Sequence, residues 1–145
     1  MGEFTDTERV AIKDIFAKID TEAVGPAALS RLLVVYPYTH KFLDDVGTLS
    51  NADAVKSNPS VSAHGKVVMH GLTRAAQNLD NTKAMHEELS GLQKLKVDPG
   101  NFRLLANSIT IEVATRLGKD FTPKVNAAFQ KFMDVTVSVQ GKQNH

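Results

Sequence analysis

Imidazole is the most versatile reactive group in this chain, because it can ligate a metal when neutral and exchange a proton near neutral pH. The five histidines are His40, His64, His70, His86 and His145. His86-Glu87-Glu88 sets one imidazole beside two carboxylates, yet it lacks the second histidine of a His-Glu-x-x-His zinc site and reads as a polar helix face. No serine or lysine is tied to a local base motif, and no Gly-rich loop is built to cradle phosphate, so no enzymatic reaction has positive support. His40 and His70 read as surface residues. His64 stands apart because it falls on an apolar helical stripe, where an imidazole is either a satisfied core group or one turned toward a ligand pocket.

The elements that must position these groups are written as helices. Thr5-Asp6-Thr7-Glu8 is a capping box, in which the Thr5 hydroxyl accepts from the first turn while Glu8 reaches back. Ala11, Ile12, Ile15, Phe16 and Ile19 then recur at helical spacing. A second helix is predicted from about Val24 to Tyr36, stopped by Pro37, which has no N–H and disfavours helical geometry in the residue before it. A short helical turn is predicted from Thr39 to Leu43.

Asn58-Pro59, Asp98-Pro99 and Thr122-Pro123 each place a capping side chain before a proline whose fixed φ suits the first helical position. The first of the three helices begun this way carries Val61, His64, Val68, Leu72, Ala75 and Leu79 on one stripe. The second carries Phe102, Leu105, Ile109 and Val113, and the third Val125, Phe129, Phe132, Thr136 and Val139. Met85, Leu89 and Leu92 mark a shorter helix between them. No period-2 run of β-branched residues competes, so the expected fold is all-α, a single domain over residues 1–145 with no internal repeat.

Composition sets the outer bounds. A chain of 145 residues can bury roughly two thirds of its unfolded surface around one core. Seventeen basic against sixteen acidic residues leave a net charge of +1, no footprint for nucleic acid or an anionic membrane. There is no cysteine, hence neither a disulfide framework nor a thiolate nucleophile. Met1-Gly2-Glu3-Phe4-Thr5-Asp6 contains no apolar signal core, and the run Leu32-Leu33-Val34-Val35-Tyr36 is far below the ~20 residues of a membrane span. These features predict a cytoplasmic protein.

Several near-literal stretches carry a resemblance across the whole chain: Glu3-Phe4-Thr5-Asp6, Ala28-Leu29-Ser30-Arg31 after Gly25-Pro26, Val34-Val35-Tyr36-Pro37, Ala63-His64-Gly65-Lys66, Asn78-Leu79-Asp80-Asn81, Val97-Asp98-Pro99 and Phe121-Thr122-Pro123. In their order they resemble the globin family, and within it the β-type chains of fish haemoglobin. The resemblance implies a globin fold of about seven to eight helices around a haem pocket, with haem as cofactor and oxygen or another diatomic molecule as ligand. It places His64 at the distal position, where the family's histidine donates a hydrogen bond to the bound ligand, and Val68 and Leu72 beside it. Leu89, Leu92, Leu95 and Val97 match the pocket lining, as do Asn101, Phe102 and Leu105.

The departures from the family pattern also gather at the pocket. In Leu89-Ser90-Gly91-Leu92-Gln93-Lys94-Leu95, Gln93 stands where the family has its iron-binding histidine, and the segment is shorter by two residues. A glutamine carbonyl is a weak iron ligand beside an imidazole. Leu43 replaces a phenylalanine that stacks on the porphyrin, Val46 stands where another aromatic is common, and Gln140 where a leucine is usual. Exchanging phenylalanine for leucine at 43 removes roughly 1–3 kcal/mol of contact if nothing compensates. His64 is the candidate iron or ligand contact, since His86 lies about 10 Å along the helix from Gln93.

For assembly, the resemblance implies α-like globin chains contacting Tyr36, Pro37, Tyr38, Asp98 and Asn101, with tyrosine in place of the usual tryptophan at 38. Lys83 matches an organic-phosphate contact, and equally reads as a solvated lysine. His145 matches an acid-responsive terminal residue, although Asn144 replaces the tyrosine expected before it. Two functions follow: a haem-binding oxygen carrier with a remodelled proximal side, or a haem-deficient globin-fold subunit, natural or engineered, serving assembly alone.

Overall fold

The computed structural model describes residues 4–35, 59–91 and 99–143, and every described segment is helix or connecting turn. Helix α1 spans Asp6–Lys18. Its capping box forms as predicted: the Thr5 hydroxyl accepts from the Glu8 backbone N–H at 3.2 Å, and the Glu8 carboxylate accepts from the Thr5 N–H at 2.8 Å. The chain turns extended at Ile19, and Asp20 opens the next helix by accepting from the Glu22 N–H at 3.1 Å.

Helix α2 therefore begins at Thr21, three residues before the predicted start at Val24. With the helix started by Asp20, Pro26 lies in its second turn, where its missing N–H forfeits one backbone bond. The described part of α2 runs to Val35, and the predicted stop at Tyr36-Pro37 and the turn through Leu43 lie outside the described residues. Helix α3 spans Pro59–Ala76, α4 Thr82–Ser90, α5 Pro99–Leu117 and α6 Pro123–Gln143. The described parts of the first two Pro-initiated helices begin at Pro59 and Pro99, and the helix at Pro123 starts where predicted. At the last of them the Thr122 hydroxyl accepts from the Val125 N–H at 3.3 Å.

One predicted stripe residue differs in setting. Leu79 is fully buried, but α3 ends at Ala76 and Leu79 occupies the following turn. Burial continues past the helix because the turn folds back under it, which periodicity alone reads as more helix. The described part of α4 carries Met85 and Leu89 inward, while Leu92 is outside the described residues. Gly118, at φ 55°, starts the short 3₁₀ turn Gly118–Asp120 that joins α5 to α6; the left-handed backbone there suits a residue without Cβ.

The helices pack in two ways. Between α2 and α3 the backbones touch: a Cβ built on Gly65 would stand 2.5 Å from the Gly25 carbonyl carbon and from the Pro26 nitrogen. Between α1 and α6 the space is filled by rings, with Phe16 against Phe132 at 5.7 Å and against Phe129 at 6.2 Å, and Phe4 against Phe132 at 6.3 Å. Lys131 of α6 ties this seam at its rim, 2.9 Å from the Glu8 carboxylate and 5.2 Å above the Phe4 ring. Hydroxyls inside helices are settled locally. Thr73, Ser90, Ser108, Thr110, Thr115 and Thr136 each donate to the carbonyl one turn earlier, so the fully buried Thr136 has its partner.

Candidate functional site

Helix α3 presents two apolar rows, and they do different work. Gly65 and Met69 belong to the row facing α2, since a Cβ on Gly25 would meet the Gly65 backbone and the Met69 side chain. His64 precedes Gly65 by one residue, which rotates its side chain by about 100° around the helix. One and three turns further along the same row come Val68 and Ala75, with Gly71 between them, all buried. His64 is half-buried, one turn after the buried Val61. Sequence periodicity put His64 and Val68 on one apolar face, and the structure keeps them on one face of α3.

The other described pocket candidates are core residues. Leu72 of α3, Leu89 of α4, and Phe102 and Leu105 of α5 all join the single buried apolar cluster. They supply apolar wall, not polar chemistry. Leu43, Leu92, Gln93, Leu95 and Val97 lie outside the described residues, as do Val46, Tyr36, Pro37, Tyr38, Asp98, Asn144 and His145. Asn101 lies on the first turn of α5.

The remaining described histidines sit away from the His64 row. The His70 Nε2 stands 3.2 Å from the Glu22 carboxylate, which accepts in this pair, and Lys66 approaches the same carboxylate at 3.8 Å. This is an exposed cross-link between α2 and α3, in line with the surface reading. His86 is half-buried on α4, where its carbonyl accepts from the Ser90 hydroxyl at 2.8 Å. Glu88, two residues on, accepts from Arg74 of α3 at 2.8 Å. The triplet His86-Glu87-Glu88 thus works as helix surface and inter-helix contact, and no cluster of three metal-ligating side chains exists among the described residues. Lys83 is exposed on the first turn of α4.

One feature escaped sequence reasoning. Pro26, Ser30, Val34 and Val35 of α2 and Glu112 and Arg116 of α5 line an open groove of about 530 Å³. The Glu112 carboxylate lies between two guanidinium groups, 3.7 Å from Arg31 and 3.9 Å from Arg116. Val34 and Val35, in the groove wall, are 42 and 55 % exposed, and Ile111 of α5 is 47 % exposed. A signal was present: Leu32-Leu33-Val34-Val35 has more apolar residues in a row than one helix face can bury, and Ile111 falls off the Phe102–Val113 stripe.

Among the described residues no helix is long and apolar enough to cross a membrane. The sequence pattern of the family described as Globin matches residues 26–140. Curated relatives span the chain almost end to end. The chain is 54% identical over 145 residues to haemoglobin subunit beta-2 of Pseudaphritis urvillii, covering 99% of each. It is 52% identical over 147 residues to haemoglobin subunit beta of Cottoperca gobio and 53% identical over 147 residues to haemoglobin subunit beta-1 of Liparis tunicatus, covering all of each.

Proposed function

The chain belongs to the globin family, and from that premise we propose that it is a haemoglobin β-like subunit that carries oxygen on haem in company with α-type globin chains. The observation that carries this reading is the full-length identity to haemoglobin beta chains. The described site residues suit the cofactor: Val68, Leu72, Leu89, Phe102 and Leu105 give buried apolar surface for a porphyrin face, and His64 brings an imidazole to the same side of α3 as Val68. When bound, the haem supplies an iron centre that takes up a diatomic ligand reversibly. The protein's part is to exclude water with that apolar wall and to set one polar group within it.

The pocket residues outside the described segments, Leu43, Leu92, Gln93, Leu95 and Val97, and Asn101 complete the proposed site on resemblance alone. Partnering draws on a second feature. Val34 and Val35 are exposed in the wall of the groove that holds the Arg31–Glu112–Arg116 charges, and exposed apolar side chains rimmed by charge suit an interaction surface. Tyr36, Pro37, Tyr38, Asp98 and Asn101 are the further proposed contacts, Lys83 the proposed phosphate contact, and the cytosol of an oxygen-transporting cell the proposed location.

Gln93 and Leu43 favour a second reading, a globin-fold subunit that takes part in assembly without carrying oxygen. Titration of the purified chain with haemin separates the two. A saturable one-to-one complex with a sharp carbonyl Soret band, and reversible oxygen uptake after mixing with α-type chains, is the expected result. Spectra no different from haemin on an unrelated protein overturn the carrier.

A further inference from the structure

We propose that Arg74 and Glu88 form a latch that holds α4 against α3, and that its release sets how fast the Leu89 side of the pocket opens. The inference rests on the haem-binding reading above, in which α3 and α4 each carry part of the pocket wall. Helix α4 has nine residues, fewer than a helix needs to hold its shape alone in water, so its order depends on what it touches. Its inward side chains are Met85 and Leu89, both fully buried. A short helix anchored by two buried side chains is among the elements that open most readily.

Arg74 is tied to α4 at both ends of that helix. At the near end, its carbonyl accepts from the Asn78 side-chain amide at 2.9 Å and from the Gln77 N–H at 3.2 Å. The Asn78 carbonyl accepts from the Asn81 N–H at 3.0 Å, and the Asn81 side chain caps α4 by accepting from the Ala84 N–H at 3.1 Å. A hydrogen-bonded turn therefore joins the Arg74 backbone to the start of α4. At the far end, the Arg74 Nε–H donates to the Glu88 carboxylate at 2.8 Å, two residues before α4 ends at Ser90. Glu88 adjoins Leu89, so the ion pair fixes α4 beside its pocket-lining side chain. The two side chains are 55 and 36 % exposed, which makes the link modest and open to screening by salt. A link of that strength shifts an opening equilibrium a few-fold, enough to set a rate without locking the pocket shut.

The test compares the full wild-type chain with Arg74→Ala, Glu88→Ala and the double variant, each alone and loaded with one equivalent of haemin. Alanine is the strongest helix former, so neither substitution weakens α3 or α4 through backbone propensity. Amide hydrogen exchange is followed by mass spectrometry, and haem transfer to an excess of a competing apo-globin by absorption. In both single variants, exchange over residues 85–90 accelerates roughly two- to five-fold, the scale of an exposed charge pair, while α1 keeps its wild-type rates. Haem transfer accelerates by a similar factor. The double variant matches either single one, because two partners in one link are not additive. Raising the salt concentration speeds α4 exchange relative to α1 in the wild type and leaves that ratio unchanged in the variants. Wild-type exchange over 85–90 in the single variants, an acceleration shared equally by α1, or additive effects in the double variant overturn the latch. Faster α4 exchange with unchanged haem transfer overturns its bearing on the pocket. A wild-type chain that takes up no haemin overturns the carrier reading, while exchange in the chain alone still decides whether Arg74 and Glu88 hold α4.

Discussion

The α2–α3 crossing and the α1–α6 seam bury comparable elements by opposite means. At the crossing, Gly25 and Gly65 let two backbones meet with no side chain between them. At the seam, Phe4, Phe16, Phe129 and Phe132 hold the helices apart with tilted and edge-on rings. A ring cluster is held by area, so it stabilises strongly and gives way gradually when trimmed. A backbone contact is held by shape, so it contributes less area but admits no addition. The candidate imidazole is carried beside the second kind, one residue from Gly65. Geometry is set where tolerance is lowest, and stability is stored where rings are largest.

Breaking each region should therefore give different signatures. Phe129→Ala, at a fully buried ring, is expected to cost about 3–5 kcal/mol in denaturant unfolding while leaving the spectrum of the haemin-loaded chain unchanged. Gly65→Ala is expected to cost about 3 kcal/mol, the upper part of the overpacking range, because backbone atoms rather than flexible side-chain ends oppose the new methyl. It should also weaken haemin binding by shifting the neighbouring His64. Equal spectral disturbance by both substitutions would end the distinction between a region that sets geometry and one that stores stability.

Smaller effects sharpen the seam's edge. Thr5→Ala removes the hydroxyl that accepts from Glu8 and should lower stability by about 1 kcal/mol, read from the unfolding midpoint. The smallest effect is pH-dependent. The Lys131 ammonium and the Thr5 backbone N–H hold the Glu8 carboxyl below its ordinary range. A carboxyl whose folded pKa is depressed adds stability that is present above its unfolded pKa and fades as pH falls through the lower folded value. Glu8→Gln should thus unfold at a lower temperature than wild type at pH 7, with the difference shrinking as the pH falls below about 4.5. A difference that is constant from pH 7 to pH 3 would remove Glu8 from the account of acid stability.

Local rules reached most of the helices and little of their meeting. Thr5 with Glu8, and the prolines at 59, 99 and 123, could be read because caps and fixed φ act within a few residues. The start of α2 was placed three residues late because the Asp20 cap, which accepts from the Glu22 N–H, was not read as a start signal. Leu79 was assigned to α3 because burial has the same period whether or not the backbone is still helical. The Gly25–Gly65 contact depends on a crossing between distant segments, and the Arg31–Glu112–Arg116 groove on two helices lying side by side. Neither is written in any window of sequence. For the site, His64 and Val68 were legible from apolar spacing, whereas their haem-facing role rests on resemblance to globins.

The hydroxyls of Thr73, Ser108 and Thr136, each bonded back into its own helix, leave the interior without polar obligations between those helices. A polar atom that demands a partner across an interface fixes which surfaces can pair and in what register. One satisfied at home imposes no such rule, so at these three positions packing is matched by contour, while the charged links between helices stay at the rim. Removing the Thr136 hydroxyl, for instance, strands no polar partner on a neighbouring helix.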